Sequence, residues 1–143
     1  LIRLSGSQPI IQLAKFIGLG SFFWLVAVLF IRFSNDVIFY PGSMVMASLY
    51  LITIPLSFAF LWFCLKITGH PINQALKLTV IMCFTGLLLD GIAISQFSAL
   101  YGTTSERVML GAAWLLFGVG TILMAGYILQ SNDSPPISVT APS

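Results

Sequence analysis

The chain is 143 residues long, 58% hydrophobic and 7% charged, with a net charge of +2 and a mean hydropathy of +1.02. Soluble domains carry about 25% charged residues, and six basic with four acidic side chains cannot cover a water-facing surface. Lipid is therefore the expected solvent, and nucleic acid is excluded as a partner because no basic run exists to neutralise phosphates.

A helix needs about 20 mainly apolar residues to cross a bilayer. Four segments satisfy this, at about 15–33, 43–65, 77–100 and 108–130. Residues 1–14 precede them as an expected interfacial segment. The polar tail 131–143, with its sequence SNDSPPISVTAPS, follows without apolar periodicity. The first residue is Leu1 rather than Met, so a processed or truncated start is expected, and the first apolar segment reads as a retained span. Short connections make successive helices antiparallel, which predicts an all-α membrane protein, a four-transmembrane-helix up-down-up-down bundle.

The breaks carry turn chemistry. Gly69 is placed to end the second helix, and Pro71 suits the start of the next. Thr103 and Glu106 have the spacing of a capping box at the start of the fourth. Pro55 lies inside the second helix, where it removes a backbone hydrogen bond and predicts a kink. Thr53 and Ser57 are the candidates to satisfy what it frees. Counting Arg3, Lys15, Lys66 and Lys77 against Arg32 and Arg107 predicts that both termini face the cytoplasm.

Asp90 lies deep in the third segment, roughly 20 Å from Lys77 and 15 Å from Leu100 at helical rise, near the expected midplane. A charge there costs about 2.5–3.5 kcal/mol, and such residues face the bundle interior, a pair or an ion path. It shares a helix face with Thr79, Cys83, Gly86, Ala93 and Phe97, a composition of small and polar residues suited to membrane helix packing. Matching stripes are Ala14, Gly18, Ser21, Leu25, Val28 and Arg32 in the first helix and Gly111, Trp114, Gly118, Thr121 and Ala125 in the fourth. In the second the stripe is Ser43, Ala47, Tyr50, Ile54, Ser57, Leu61 and Cys64. Arg32 sits roughly 6 Å farther along than Asp90 and leans back toward it. The two are therefore candidates for an interhelical ion pair or a cation site. The alternatives are a protonated Asp90 and an Arg32 that snorkels to the surface or pairs with Asp36 at i+4.

His70 stands alone, and metal sites need three or four ligands, so no metal is expected and His70 is assigned to helix capping or the headgroup region. Cys64 and Cys83 read as small buried residues. No nucleophile–base arrangement or phosphate loop is present, and no motif specifies a cofactor. The stretches LITIPLSFAF, GLLLDGIAI and GAAWLLFGVG together resemble a family of small bacterial membrane proteins of unknown function. That resemblance spans about 15–130, implies the four-span plan with an acid in the third span, and matches Pro55, Gly86, Asp90 and Trp114. The functional expectation is a non-enzymatic integral membrane protein, an accessory or scaffolding subunit partnered by other membrane subunits or by its own copies. The alternatives are a small oligomeric transporter or proton-linked channel using Asp90, and a pigment- or quinone-associated subunit suggested by the 13% aromatic content. A bacterial inner or other energy-transducing membrane is the expected location.

Overall fold

The computed structural model describes residues 7–133. Arg3 and the tail beyond Asp133 lie outside the described residues. Four helices form: α1 (Ser7–Ser34), α2 (Met44–Thr68), α3 (Ala75–Gln96) and α4 (Ser105–Asp133). All four contain a stretch long and apolar enough to cross a membrane, and no strand occurs among the described residues. The predicted all-α four-span bundle is what folds. Much of the segment expected at the interface is instead the first part of α1, which begins at Ser7.

The breaks close as local chemistry dictates, with two shifts. Gly69 ends α2 with φ 67°, in the left-handed region, and its N–H returns to the Leu65 carbonyl. A glycine tolerates that conformation without strain. Pro71 precedes a 3-10 turn, Ile72–Gln74, that leads into α3. α3 stops at Gln96 rather than Leu100, because Phe97 leaves helical geometry and a second 3-10 turn, Ser98–Leu100, follows. At α4 the capping hydroxyl is that of Thr104, which accepts from the Arg107 N–H at 3.4 Å, and not that of Thr103. Pro55 lies within the uninterrupted α2. The Thr53 hydroxyl donates to the Leu49 carbonyl and Ser57 to Thr53, so neither takes the Leu51 carbonyl that Pro55 leaves without its usual donor.

Packing order departs from chain order. α1 packs on α3, α3 on α4, and α4 on α2, whereas α1 and α2 are not close-packed neighbours. Successive elements are adjacent about two-thirds of the time, and here only α3 and α4 are both successive and closely packed. At one end Phe16 meets His70 edge-on at 4.8 Å, and Phe23 meets Phe60 at 4.4 Å, bridging α1 and α2. At the other end the α1–α2 connection folds inward. Its Phe39 is buried with Val28, Ile31, Met46 and Tyr101 and lies 6.1 Å from the Trp114 ring.

The residues of the predicted packing stripes are mostly buried in α3 and α4 and mostly exposed in α1. Thr79, Cys83, Asp90, Ala93, Gly111, Thr121 and Ala125 are buried, and Gly86, Trp114 and Gly118 are half-buried. Phe97, also assigned to the α3 face, is exposed beyond the helix end. In α1, Gly18 is exposed and Ser21 only half-buried. The buried residues of α1 are Phe16, Gly20, Ile31 and, from the predicted stripe, Val28. A Cβ on Gly20 would lie 3.0 Å from the Met82 carbonyl oxygen, whereas one on Gly18 would meet nothing within 4 Å. Two residues along a helix is a turn of about 200°, so choosing Gly18 over Gly20 selected the opposite side. The α2 stripe is right at Ser43, Ser57, Leu61 and Cys64, but Ala47 is exposed.

Candidate functional site

Asp90 points into the bundle, 8% exposed. The Trp24 indole N–H donates to its Oδ1 at 2.7 Å and the Tyr101 hydroxyl donates to the same oxygen at 2.5 Å. Oδ2 takes no hydrogen bond from the described residues. Because every fully buried side-chain oxygen and nitrogen among those residues has a partner, Oδ2 keeps some accessible surface, and Asp90 lines an open cavity between the helices. The carboxylate thus accepts two neutral donors and meets no basic side chain. Tyr101 is fully buried. Burial first, then the hydrogen bond and charge of Asp90, hold its hydroxyl protonated well above the ordinary tyrosine range.

The expected Arg32–Asp90 ion pair does not form. Arg32 is exposed and its guanidinium donates to the Ala99 carbonyl in the α3–α4 connection. Next to the buried Ile31, Arg32 is turned about 100° off the α3-facing side, and Trp24, two turns earlier on α1, occupies the carboxylate instead. Arg32 does not pair with Asp36 either. The ion pair among the described residues joins Asp36 to Arg107, which also reaches Asn35 Oδ1 at 3.4 Å. Asn35 in turn donates to the Tyr101 carbonyl at 2.6 Å. The loop carrying Tyr101 is therefore pinned from the aqueous side, and its hydroxyl is held on Asp90 from within.

The cavity measures about 480 Å³ and all four helices line it. Its wall is apolar and aromatic, with Phe23, Trp24 and Phe30 from α1, Phe60 from α2, and Trp114 from α4. Its polar groups are mostly committed elsewhere: Trp114 Nε1–H donates to Thr53 at 2.9 Å, and the Ser57 and Thr121 hydroxyls bond each other at 2.8 Å. Asp90 Oδ2 is the strongest acceptor left to it. Val26 and Phe30 on α1 and Leu56 on α2 line the cavity and are also exposed on the outer surface. The cavity therefore opens between α1 and α2. Cys83 and Gly86 lie on the wall, as does Gly118, where a Cβ would meet nothing within 4 Å.

No group of three or more metal-ligating side chains occurs among the described residues. His70 is half-buried, with its Nδ1 at 3.0 Å from the Thr68 carbonyl. Cys64 and Cys83 are free and buried.

Comparison with known families matches residues 38–133 to the model of a family of unknown function, DUF5367. The chain belongs to DUF5367. No curated protein and no solved structure matches it. The DUF5367 match takes in α2, α3 and α4 with Asp90, Tyr101 and Trp114, and starts after Trp24 and α1, so it is shorter than the resemblance read from the sequence.

Trp24 and Tyr101 were missed from sequence. A donor search around the acid would have found them only with the register known, since Trp24 is separated from Asp90 by 66 positions.

Proposed function

We propose that this integral membrane protein is a carrier-type binding protein that holds a lipophilic small molecule inside its four helices, with Asp90 as the polar anchor. One observation carries the reading: a cavity of about 480 Å³, open to lipid between α1 and α2, is lined by the buried Asp90. Pockets of that size, mostly apolar with few convergent polar groups, are what small-molecule sites require. An accessory-subunit role draws only on apolar outer flanks, which lipid covers equally well. Lys15, Lys66 and Lys77 at the His70 end support placing that end, and both termini, on the cytoplasmic side.

The test is saturable binding in phosphatidylcholine nanodiscs. Trp24 and Trp114 line the cavity while Trp62 is exposed to lipid, so a Trp62→Phe background reports the cavity. A bromophenyl-alkyl probe dissolved in the bilayer should quench the remaining fluorescence to saturation. Gly118→Leu, which projects a side chain into open cavity space, should abolish the saturable part. Quenching that rises only in proportion to the probe in the bilayer would refute the reading.

A further inference from the structure

We infer that the molecule this cavity selects is a lipophilic ammonium ion that donates an N–H to Asp90 Oδ2; the inference rests on the binding role proposed above. Charge accounting comes first. Asp90 is buried in a membrane-spanning helix, and the nearby bases are engaged elsewhere, Arg32 with Ala99 and Arg107 with Asp36. Buried charges are ordinarily paired, and the protein supplies Asp90 with hydrogen bonds but no countercharge.

The geometry of those bonds indicates where the countercharge belongs. Trp24 and Tyr101 both donate to Oδ1, which fixes the carboxylate and leaves Oδ2 without a partner among the described residues, on a side chain that lines the cavity. A ligand amine would therefore find an oriented acceptor with one oxygen free, and a charge-assisted bond there is about twice as strong as a neutral one. The wall suits the rest of such a molecule. The rings of Trp24, Phe30 and Trp114 line the cavity, aromatic rings favour a desolvated cation, and the opening between α1 and α2 suits a molecule that dissolves in hydrocarbon. A neutral quinone-like molecule would offer Oδ2 acceptors where a donor is wanted.

Three matched probes decide the matter in the nanodisc assay: a bromophenylbutylammonium ion, its N-trimethylated analogue, and the neutral bromophenylpentane. Affinities are expressed per mole fraction in the bilayer, so that partitioning does not enter. The ammonium should bind about 10-fold or more tightly than the neutral probe, the preference expected of one hydrogen bond to a charged group. The trimethylated ion, which keeps the charge but has no N–H, should bind less tightly than the ammonium. Asp90→Asn keeps an oxygen for Trp24 and Tyr101 and should bring the ratio of ammonium to neutral affinity down to about one. Saturable binding with equal affinity for ammonium and neutral probes would overturn the cation assignment and leave the cavity reading standing. Absence of saturable binding by all three would overturn both. A trimethylated ion as tight as the ammonium would overturn the N–H donation, and a preference surviving in Asp90→Asn would overturn the role of Asp90. Should Asp90→Asn fail to fold, the ratios in the unaltered protein still decide.

Discussion

Removing the Tyr101 hydroxyl probes one of the two bonds that hold the Asp90 carboxylate. Tyr101→Phe keeps the ring in its fully buried site and deletes one donor, 2.5 Å from Asp90 Oδ1. A hydrogen bond to a charged acceptor contributes about 1.5–3 kcal/mol in water-soluble proteins. Within membranes the measured mean is only about 0.6 kcal/mol, with a maximum of about 1.7, because the unfolded chain in lipid also finds partners. Here the bond is short, buried and made to a carboxylate, so the upper end applies and the coupling should approach about 1.5 kcal/mol. The assay is reversible unfolding in mixed micelles on a cycle of Tyr101→Phe, Asp90→Leu and the double variant. A parallel cycle of Arg32→Leu with Asp90→Leu should be additive, since Arg32 bonds the Ala99 carbonyl and not the acid. Independent sites add within about 0.3–0.5 kcal/mol. A Tyr101–Asp90 coupling inside that scatter, or an Arg32–Asp90 coupling well outside it, would refute the arrangement described above.

Other consequences are cheaper to check. Gly20→Ala should destabilise by about 1–3 kcal/mol, the usual cost of overpacking, because its Cβ would sit 3.0 and 3.1 Å from Met82 backbone atoms. Gly18→Ala should be neutral or stabilising by up to about 1 kcal/mol, since nothing lies within 4 Å; thermal unfolding of the two variants compares them directly. Arg107→Ala should cost under about 1 kcal/mol and less at high salt, because the Asp36 partner is 82% exposed and such pairs are screened. Stability should also fall at alkaline pH. Tyr101 ionises near pH 10 when unfolded but at higher pH when folded, so the folded state keeps its proton longer. That contribution is complete below about pH 10 and is lost as pH rises through the folded value. Unfolding followed above that pH should show a smaller alkaline loss in Tyr101→Phe.

What could be read from sequence was set by how local the determining physics is. Hydropathy over about 20 residues found all four spans, and Gly69 marked its turn, because each depends on neighbouring residues alone. Asp90 was legible as a candidate site residue for the same reason: an acid in an apolar helix is conspicuous wherever its partners are. Its partners were not legible. Arg32 carried the right charge at nearly the right height, but a partner must also face the acid. The α1 face was misassigned because Gly18 and Gly20 are equally small, and only the approach of Met82 distinguishes them. The gap between α1 and α2 was likewise invisible, since short connections constrain helix direction and leave lateral order to packing.

That gap also decides how the cavity can select anything. In water, a site of this size would gain affinity by removing apolar surface from solvent. A molecule already dissolved in the bilayer gains little of that, because lipid tails are as apolar as the side chains that would replace them. An acyl chain entering between Val26, Phe30 and Leu56 can fill the space and satisfy dispersion, so the ligand must displace lipid rather than water. Apolar complementarity then sets only what fits. Discrimination has to come from an interaction that lipid cannot reproduce, and the carboxylate oxygen of Asp90 that Trp24 and Tyr101 leave free supplies one. On this argument affinity should scale with the donor strength of the ligand's head far more steeply than with the length of its hydrocarbon.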